Sequence, residues 1–197
     1  MGSYSMKKGE MEVRILGVDP GYAIVGIGVV DYDHVKFRPV EYGAVTTPAH
    51  LAIEERLRII YHDFTGILTE YKPDAVSVEQ LYFANNTTTG IAVAEARGVL
   101  LLAAAEQGVP IFSYTPMQVK SAVVGYGRAE KEQVMEMTRR LLGLRAVPKP
   151  DDAADALALA ICHGHNGESR LPSSALAETR GGNRKGRPVI YKEKKTL

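Results

Sequence analysis

The sequence VRILGVDPGYAIVGIGVVDY, residues 13–32, decides the fold of this chain. Its first part, 13–18, is a short apolar strand pattern that stops at the turn signal Asp-Pro-Gly of residues 19–21. Its second part, 23–32, is rich in β-branched residues and glycine, as strands are. A third strand pattern follows at 35–45. Three consecutive strands with short links predict an antiparallel meander.

The rest of the chain alternates between helical and strand patterns. Helices are predicted at 51–71, 89–107, 129–142 and 151–163, with a short one opened by Thr115 as N-cap and Pro116 at the first helical position. Strands are predicted at 75–78 and 111–114. The order βββαβαβααα predicts an α/β fold, a mixed five-stranded sheet flanked by helices with right-handed crossovers.

Length and composition indicate one globular domain. The chain has 197 residues, of which 45% are hydrophobic and 24% charged, and these values are ordinary for a water-soluble fold. The most apolar run, 98–105, is too short to span a membrane, and the sequence begins without the charged and apolar pattern of a signal peptide. The single cysteine, Cys162, excludes an internal disulfide. Together these features predict a cytoplasmic protein.

Charge is distributed unevenly along the chain. Residues 166–197 hold eight Lys/Arg and three Asp/Glu, a net charge of 8 − 3 = +5, whereas residues 1–165 carry 16 − 20 = −4. We therefore expect a disordered N-terminal extension or tag at 1–11, a globular domain at 12–165 and a flexible basic tail at 166–197. Such a tail attracts polyanions, but its composition fits a solvated terminus without a role equally well.

Acidic residues occur where strands end and where the last helix begins. Asp19 ends the first strand and Glu79 follows the fourth, and strand ends at the carboxyl edge of such a sheet face the functional crevice. The two acids lie side by side if the fourth strand adds parallel to the first. Asp152 and Asp155 share one face of the last helix, and the small apolar residues around them allow that helix to dock tightly on the sheet.

Four carboxylates in one small volume require cations to neutralise them. Oxygen ligands select hard ions such as Mg²⁺ or Mn²⁺, and two such ions stabilise the attacking and leaving oxygens of a phosphoryl displacement. Each acid taken alone has a simpler explanation, as a turn former before Pro-Gly or as a charge in the first turn of a helix. Their joint placement favours a metal-dependent nuclease.

Five segments resemble, in order and spacing, the motifs of the RuvC family of Holliday junction resolvases: ILGVDPGYAIVGIGVV, DAVSVEQLYFANNTTT, ARGV, QVKSAVVGYGRAEKEQV and PDDAADALALAICHGH. The resemblance covers about residues 15–165. It implies a ribonuclease-H-like fold and a homodimer that introduces paired, symmetric nicks in a four-way DNA junction during recombination and repair. It also implies dependence on Mg²⁺, two ions per active site, and partnership with the branch-migration proteins RuvA and RuvB.

The resemblance assigns roles to individual positions. The metal acids of the family fall on Asp19, Glu79, Asp152 and Asp155. Asp151 stays open as an alternative to Asp152, although the spacing DAAD favours the latter. Lys120 and Lys131 match lysines that meet the DNA backbone near the cut, where a cation stabilises developing negative charge. With the four acids, these two lysines form the candidate catalytic set.

The loop after Glu79 holds the candidate DNA contacts. Tyr82 stands where the family has an aromatic residue that stacks on a base near the crossover, which is worth roughly 1–3 kcal/mol, while Phe83 is expected in the core. Asn85 and Asn86 can bond to phosphate or base edges.

Three further features of the helices lead to separate expectations. Arg97 interrupts an apolar helix; it can pair with an acid such as Glu95 or Glu106, or reach DNA, and both readings stay open. The apolar surface of residues 91–105 is wider than one sheet face needs, so part of it is expected to form a dimer contact; the alternative is deeper burial within the monomer. His163 and His165 follow the last acid and are expected to be exposed residues of the helix end rather than ligands.

Three rival functions fit parts of the sequence. The loop after the first strand also resembles the first phosphate loop of actin-like ATPases and sugar kinases, but those enzymes need two lobes and the sequence has no second loop of this type. A structural protein that binds junctions would not need four acids. Another nuclease of the same fold, acting on RNA or flaps, stays open because substrate choice depends on dimer geometry.

Overall fold

The computed structural model describes residues 12–81 and 87–167, with residues 87–89 described as backbone only. Strands and helices follow one another in the predicted order. Their bounds are β1 Val13–Asp19, β2 Ile24–Tyr32, β3 Phe37–Thr46, α1 Ile53–Tyr71, β4 Ala75–Glu79, α2 Thr87–Glu106, β5 Ile111–Tyr114, α3 Pro116–Val124, α4 Lys131–Leu141 and α5 Asp151–Gly167. Within these described ranges, no helix is long and apolar enough to cross a membrane.

The five strands form one mixed sheet in the order β3-β2-β1-β4-β5. β1 pairs with β2 and β2 with β3 in antiparallel fashion, which confirms the predicted meander. β4 adds parallel to β1, and β5 adds parallel to β4. The first and fourth strands are therefore neighbours, as the position of the two acids requires.

Side chains of β1 and β4 alternate between two helical layers. The layer formed by α1 and α2 receives one set of these side chains: Leu16, Val18, Val76 and Val78. The other face of the sheet is covered by α5, against which α3 and α4 pack. Because successive strand residues point to opposite faces, Asp19 and Glu79 both belong to the α5 face.

The predicted start of the third strand at residue 35 is wrong. Val35 lies in a turn and is 80% exposed. Asp33 Oδ1 accepts hydrogen bonds from the N–H groups of Val35 and Lys36, at 3.0 and 2.7 Å, and His34 has a φ of 67°. These local bonds hold the backbone in a turn, so the strand begins at Phe37.

Helix caps fix the elements that carry the predicted lysines. Thr115 is the N-cap of α3, and its hydroxyl accepts the N–H of Gln118 at 3.1 Å, which confirms the predicted cap. α4 begins at Lys131 rather than at the predicted residue 129, because Glu130 is its N-cap and forms a capping box. Lys131 consequently occupies the first turn of α4.

α5 is longer than predicted and crosses the whole sheet. It runs four residues beyond 163, and Asn166 Nδ2 donates to the carbonyl of Cys162 at 2.8 Å in its last turn. At the sheet edge opposite the acids, Val13 and Gly167 border the same cavity of about 250 Å³. The terminal segments 1–11 and 168–197 lie outside the described residues, so the expectations for both remain predictions.

Candidate active site

The register of β1 and β4 sets two acids side by side. Val18 and Val78 are partners in the parallel ladder, so the residues that follow them, Asp19 and Glu79, end their strands at the same level. On its other side, Asp19 is the antiparallel partner of Gly26 on β2. The structure thus brings together two carboxylates that are 60 residues apart in the sequence.

Two glycines allow α5 to lie directly on the sheet beside these acids. A Cβ added at Gly17 would stand 1.8 Å from the carbonyl oxygen of Ala156, and one at Gly26 would stand 2.0 Å from the carbonyl oxygen of Asp152. Both distances are far shorter than any real contact, so a side chain at either position would push the helix away. Because Gly26 has no side chain, Asp152 can lie directly against β2, at the residue that pairs with Asp19 on β1.

Asp151 and Asp152 have different surroundings. Asp151 Oδ1 accepts a hydrogen bond from Lys149 Nζ at 2.6 Å, and its side chain is 46% exposed. This bond lowers the pKa of Asp151. Asp152, in contrast, is one of the carboxylates whose charge raises the pKa of Asp19. Asp152 thus belongs electrostatically to the acid cluster, whereas Asp151 is paired with a surface lysine.

The acids interact strongly with one another. Burial, followed by the charges of Glu79, Asp155 and Asp152, raises the pKa of Asp19 to about 7. Burial and the charge of Asp155 also raise the pKa of Glu79. Carboxylates shift one another in this way only when they share a small, poorly solvated volume. The cluster formed by Asp19, Glu79, Asp152 and Asp155 is called the acid cluster below.

Lys131 partly neutralises the acid cluster. Its Nζ donates to Asp155 Oδ2 at 2.9 Å. This hydrogen bond raises the pKa of Lys131, and the ammonium in turn opposes the upward shifts at Asp19 and Glu79. The first turn of α4 thus delivers a cation to acids carried by β1, β4 and α5.

A cavity of about 280 Å³ opens beside the acid cluster. Its charged lining comprises Asp19, Glu79, Lys120, Lys131 and Asp155, and its apolar lining comprises Pro116, Val119, Val134, Ala158 and Leu159. Lys120 reaches this cavity from α3, so both predicted lysines stand with the predicted acids. Asp152 lies beside the cavity rather than in its lining.

The chemistry of the acid cluster suits a hard divalent cation, since all its donors are carboxylate oxygens. As the side chains stand, no group of three His, Cys, Asp or Glu in residues 12–81 and 87–167 is close enough to hold a metal. Lys131 occupies one oxygen of Asp155. A metal bound by three of these acids would therefore require side-chain rotation within the cluster.

The family model for the crossover junction endodeoxyribonuclease RuvC matches residues 15–163 of this chain. The chain belongs to the RuvC family. RuvC of Clostridioides difficile strain 630 is 55% identical over 152 residues, which cover 77% of this chain and 90% of that protein. RuvC of Brevibacillus brevis is 56% identical over 151 residues, covering 77% and 91% of the two chains.

A solved RuvC structure confirms the fold. T. thermophilus RuvC, determined in complex with a Holliday junction substrate, aligns with a TM-score of 0.76 at 37% identity. The alignment covers 80% of this chain and 96% of that one. The mixed sheet with flanking helices is therefore the ribonuclease-H-like fold that the sequence predicted for a RuvC family member.

Three candidate DNA contacts of this RuvC family chain lie outside the described residues: Tyr82, Asn85 and Asn86. The same holds for Phe83, expected in the core. Their roles remain predictions. The structure fixes only the residues on either side of them, at the end of β4 and the start of α2.

The expectation that His163 is exposed is wrong, whereas His165 is exposed as expected. The side chain of His163 is buried, and its Nδ1 is hydrogen-bonded to the hydroxyl of Tyr114 at 2.8 Å. Burial lowers the pKa of His163 to about 4. The burial of His163 could have been predicted from helical periodicity, because residues 155, 159 and 163 are spaced four apart and so share one face of α5.

Two polar contacts near the site were missed by sequence reasoning. Ser77, in the middle of β4, donates from its hydroxyl to the carbonyl of Leu159 at 2.7 Å and so ties the sheet to α5. Arg97 bonds to neither Glu95 nor Glu106; its guanidinium donates to the main-chain carbonyl of Glu79. A serine within the apolar run AVSVE and an arginine within an apolar helix were the available signals.

Proposed function

We propose that this chain is a structure-specific endonuclease that resolves four-way (Holliday) DNA junctions by paired, symmetric nicks in recombination and repair. The observation that carries the proposal is the convergence of β1, β4 and α5 on one acid cluster, beside a cavity that also holds two lysines. Membership of the RuvC family supports the reaction. The T. thermophilus relative solved with a Holliday junction supports the choice of substrate.

We infer that Asp19, Glu79, Asp152 and Asp155 hold the metal, Mg²⁺ with Mn²⁺ as a substitute, two ions per active site. A cation would relieve the repulsion that raises the pKa of Asp19. When bound, such ions activate water and stabilise the leaving oxygen of a phosphodiester. The products are then a 5′-phosphate and a 3′-hydroxyl. In this proposal the nucleophile is water, so no covalent intermediate with the protein is formed.

The two lysines are proposed to contact DNA near the cut. The side chain of Lys131 is 53% exposed, so its ammonium can turn from Asp155 towards a phosphate without leaving water. Lys120 approaches the same cavity from α3. A lysine within reach of the scissile phosphate stabilises the charge that develops there. Tyr82, Asn85 and Asn86 are proposed as further DNA contacts, on the family resemblance and on their residue types.

Paired nicks need two active sites, and α2 offers a surface for a homodimer. Ile91 is 59% exposed and Leu102 is 55% exposed. They are 11 residues apart, or about three helical turns, so they lie on one stripe of the helix. Gly98 lies between them, and a Cβ added there would meet nothing within 4 Å. We propose that this stripe contacts a second copy. RuvA and RuvB are proposed as partners on the family resemblance alone.

The test is cleavage of a synthetic four-way junction with each strand labelled in turn. In Mg²⁺, the protein should nick two opposite strands at symmetric positions, and the ends should be ligatable without further treatment. Linear duplex, flap and RNA substrates of the same sequence serve as controls. Equal cutting of flaps or RNA would contradict the junction as substrate.

Substitution separates chemistry from binding. Asp19→Asn should bind the junction as wild type does but lose nicking by at least ~10³-fold, because a metal ligand is lost. Asp151→Asn is the matched control, since that acid pairs with Lys149, and it should cut at nearly the wild-type rate. Asp152→Asn should behave like Asp19→Asn. A fully active Asp19→Asn protein would refute the proposal.

A further inference from the structure

A single guanidinium on α2 joins the ends of two strands. Arg97 Nε donates to the carbonyl oxygen of Glu79 at 3.0 Å, and Arg97 Nη2 donates to Ser113 Oγ at 2.9 Å. Glu79 is the last residue of β4, and Ser113 is the penultimate residue of β5. The arginine thus fixes the main chain of an acid-cluster residue from outside the sheet.

The neighbouring strand β1 offers no substitute for this bond. Val76 and Gln80 donate their N–H groups to the β5-side carbonyls of Pro110 and Tyr114, so the carbonyl of Glu79, at an odd position of β4, faces β1 instead. There the chain continues with Pro20, which has no N–H. Arg97 therefore supplies the hydrogen bond that this strand end otherwise loses.

Arg97 acts on the backbone rather than on the carboxylate. The pKa of the Glu79 carboxyl is shifted by burial, by Asp155 and by Lys131. The geometry agrees, since the guanidinium donates its two hydrogen bonds to uncharged oxygens, the Glu79 carbonyl and the Ser113 hydroxyl. Fixing the carbonyl restricts rotation of the peptide plane that follows Glu79, and that restriction limits the directions open to its side chain.

Arg97 also connects the two sides of the segment 82–86. Glu79 precedes this segment, and α2 follows it from Thr87. Arg97 lies ten residues into that helix, about 15 Å from its start at 1.5 Å per residue. The bond from Arg97 to Glu79 therefore fixes the position of α2 along its own axis relative to the acid cluster.

We propose that Arg97 is a positioning residue, which holds the end of β4 so that the Glu79 carboxylate faces the other acids. The inference rests on the proposed function, because Glu79 is taken there as a metal ligand. Residues that orient metal ligands typically change metal affinity or activity by 10–100-fold when removed.

The experiment compares Arg97→Met with Arg97→Lys and Ser113→Ala in the full-length protein. Arg97→Met removes both bonds, Arg97→Lys can restore one donor towards the Glu79 carbonyl, and Ser113→Ala leaves that bond intact. Three quantities are measured: Mn²⁺ affinity of the DNA-free protein by electron paramagnetic resonance, junction affinity without divalent metal, and the single-turnover nicking rate in Mg²⁺.

Arg97→Met should bind Mn²⁺ roughly 10-fold more weakly and nick roughly 10–100-fold more slowly, while its junction affinity stays within about 3-fold of wild type. Arg97→Lys should recover part of both losses, and Ser113→Ala should stay within about 3-fold of wild type. Val99→Ala, on the same helix, controls for a general loosening of α2.

The proposal is overturned if Arg97→Met binds Mn²⁺ as tightly as Ser113→Ala, or if Val99→Ala at an equal loss of melting temperature reproduces its defects. Failure of the proposed function would be visible separately, because wild-type protein would then leave the junction uncut whatever the Mn²⁺ affinities of the variants.

Discussion

Gly26→Ala tests how closely α5 must approach the sheet for the acid cluster to work. The added methyl would stand 2.0 Å from the carbonyl oxygen of Asp152, whereas ordinary contact begins at 3.4 Å. The first turn of α5 must therefore move by about 1.4 Å. Displacements of about 1 Å in a catalytic group can lower rates by ~10²-fold, and overpacking of this kind destabilises by about 1–3 kcal/mol.

The expected result is a folded protein with nicking reduced about 100-fold and a melting temperature lowered by several degrees. Single-turnover cleavage of a four-way junction measures the first effect, and thermal unfolding the second. Gly43→Ala is the matched control: it lies on the adjacent strand opposite Ile27, and its Cβ would meet nothing within 4 Å. If Gly26→Ala cuts as fast as Gly43→Ala, close packing of Asp152 on β2 is not needed for catalysis and the reasoning fails.

Three further outcomes follow from the same structure. The pKa of Asp19 is raised from 3.8 to about 7; the folded protein therefore binds this proton more tightly than the unfolded chain, and the stability so gained is lost as pH rises from about 4 to 7. Without metal, the melting temperature of Asp19→Asn should thus lie above that of wild type at pH 8, and the difference should vanish towards pH 4. A difference in melting temperature that stays constant from pH 8 to pH 4 would contradict the raised pKa of Asp19. Ser77→Ala should lower the free energy of unfolding by about 0.5–1.5 kcal/mol, because it removes a buried hydrogen bond between β4 and the carbonyl of Leu159 on α5. Urea denaturation measures this loss, and an unchanged midpoint would count against the bond. Cys162 is buried, and burial raises its pKa to about 12, so a thiol reagent at pH 8 should label it in urea but not in the native protein, whereas rapid native labelling would show that α5 opens.

The placement of Asp19 and Glu79 at strand ends could be predicted because it depends on local signals, a turn after the first strand and an acid closing the fourth. That the two acids lie side by side could be stated only on the condition that β4 adds parallel to β1, and the structure meets that condition. The small residues of the last helix also predicted that it packs closely on the sheet. The sequence did not show that it packs on Gly17 and Gly26, because both look like ordinary strand glycines until α5 is seen to lie on them.

The remaining misses have two different causes. The helix face of His163 could be inferred from periodicity, but not that α5 continues past it to Gly167 and so keeps it buried. Arg97 bonds to a carbonyl on another element, and periodicity does not show which main-chain acceptor a long side chain reaches. Side-chain to main-chain bonds between distant elements leave no spacing in the sequence. The sequence therefore offered an acid or DNA as alternative partners for Arg97, whereas the structure shows a bond to the peptide carbonyl of Glu79.

Because α5 traverses the sheet, Val13 and Gly167 meet at the edge farthest from the acid cluster, around one shared cavity. That arrangement is useful for single-molecule work. A biotin or fluorophore attached near either position would tether the protein to a surface with its acidic edge turned to solution. The junction cleavage proposed above could then be timed on individual molecules.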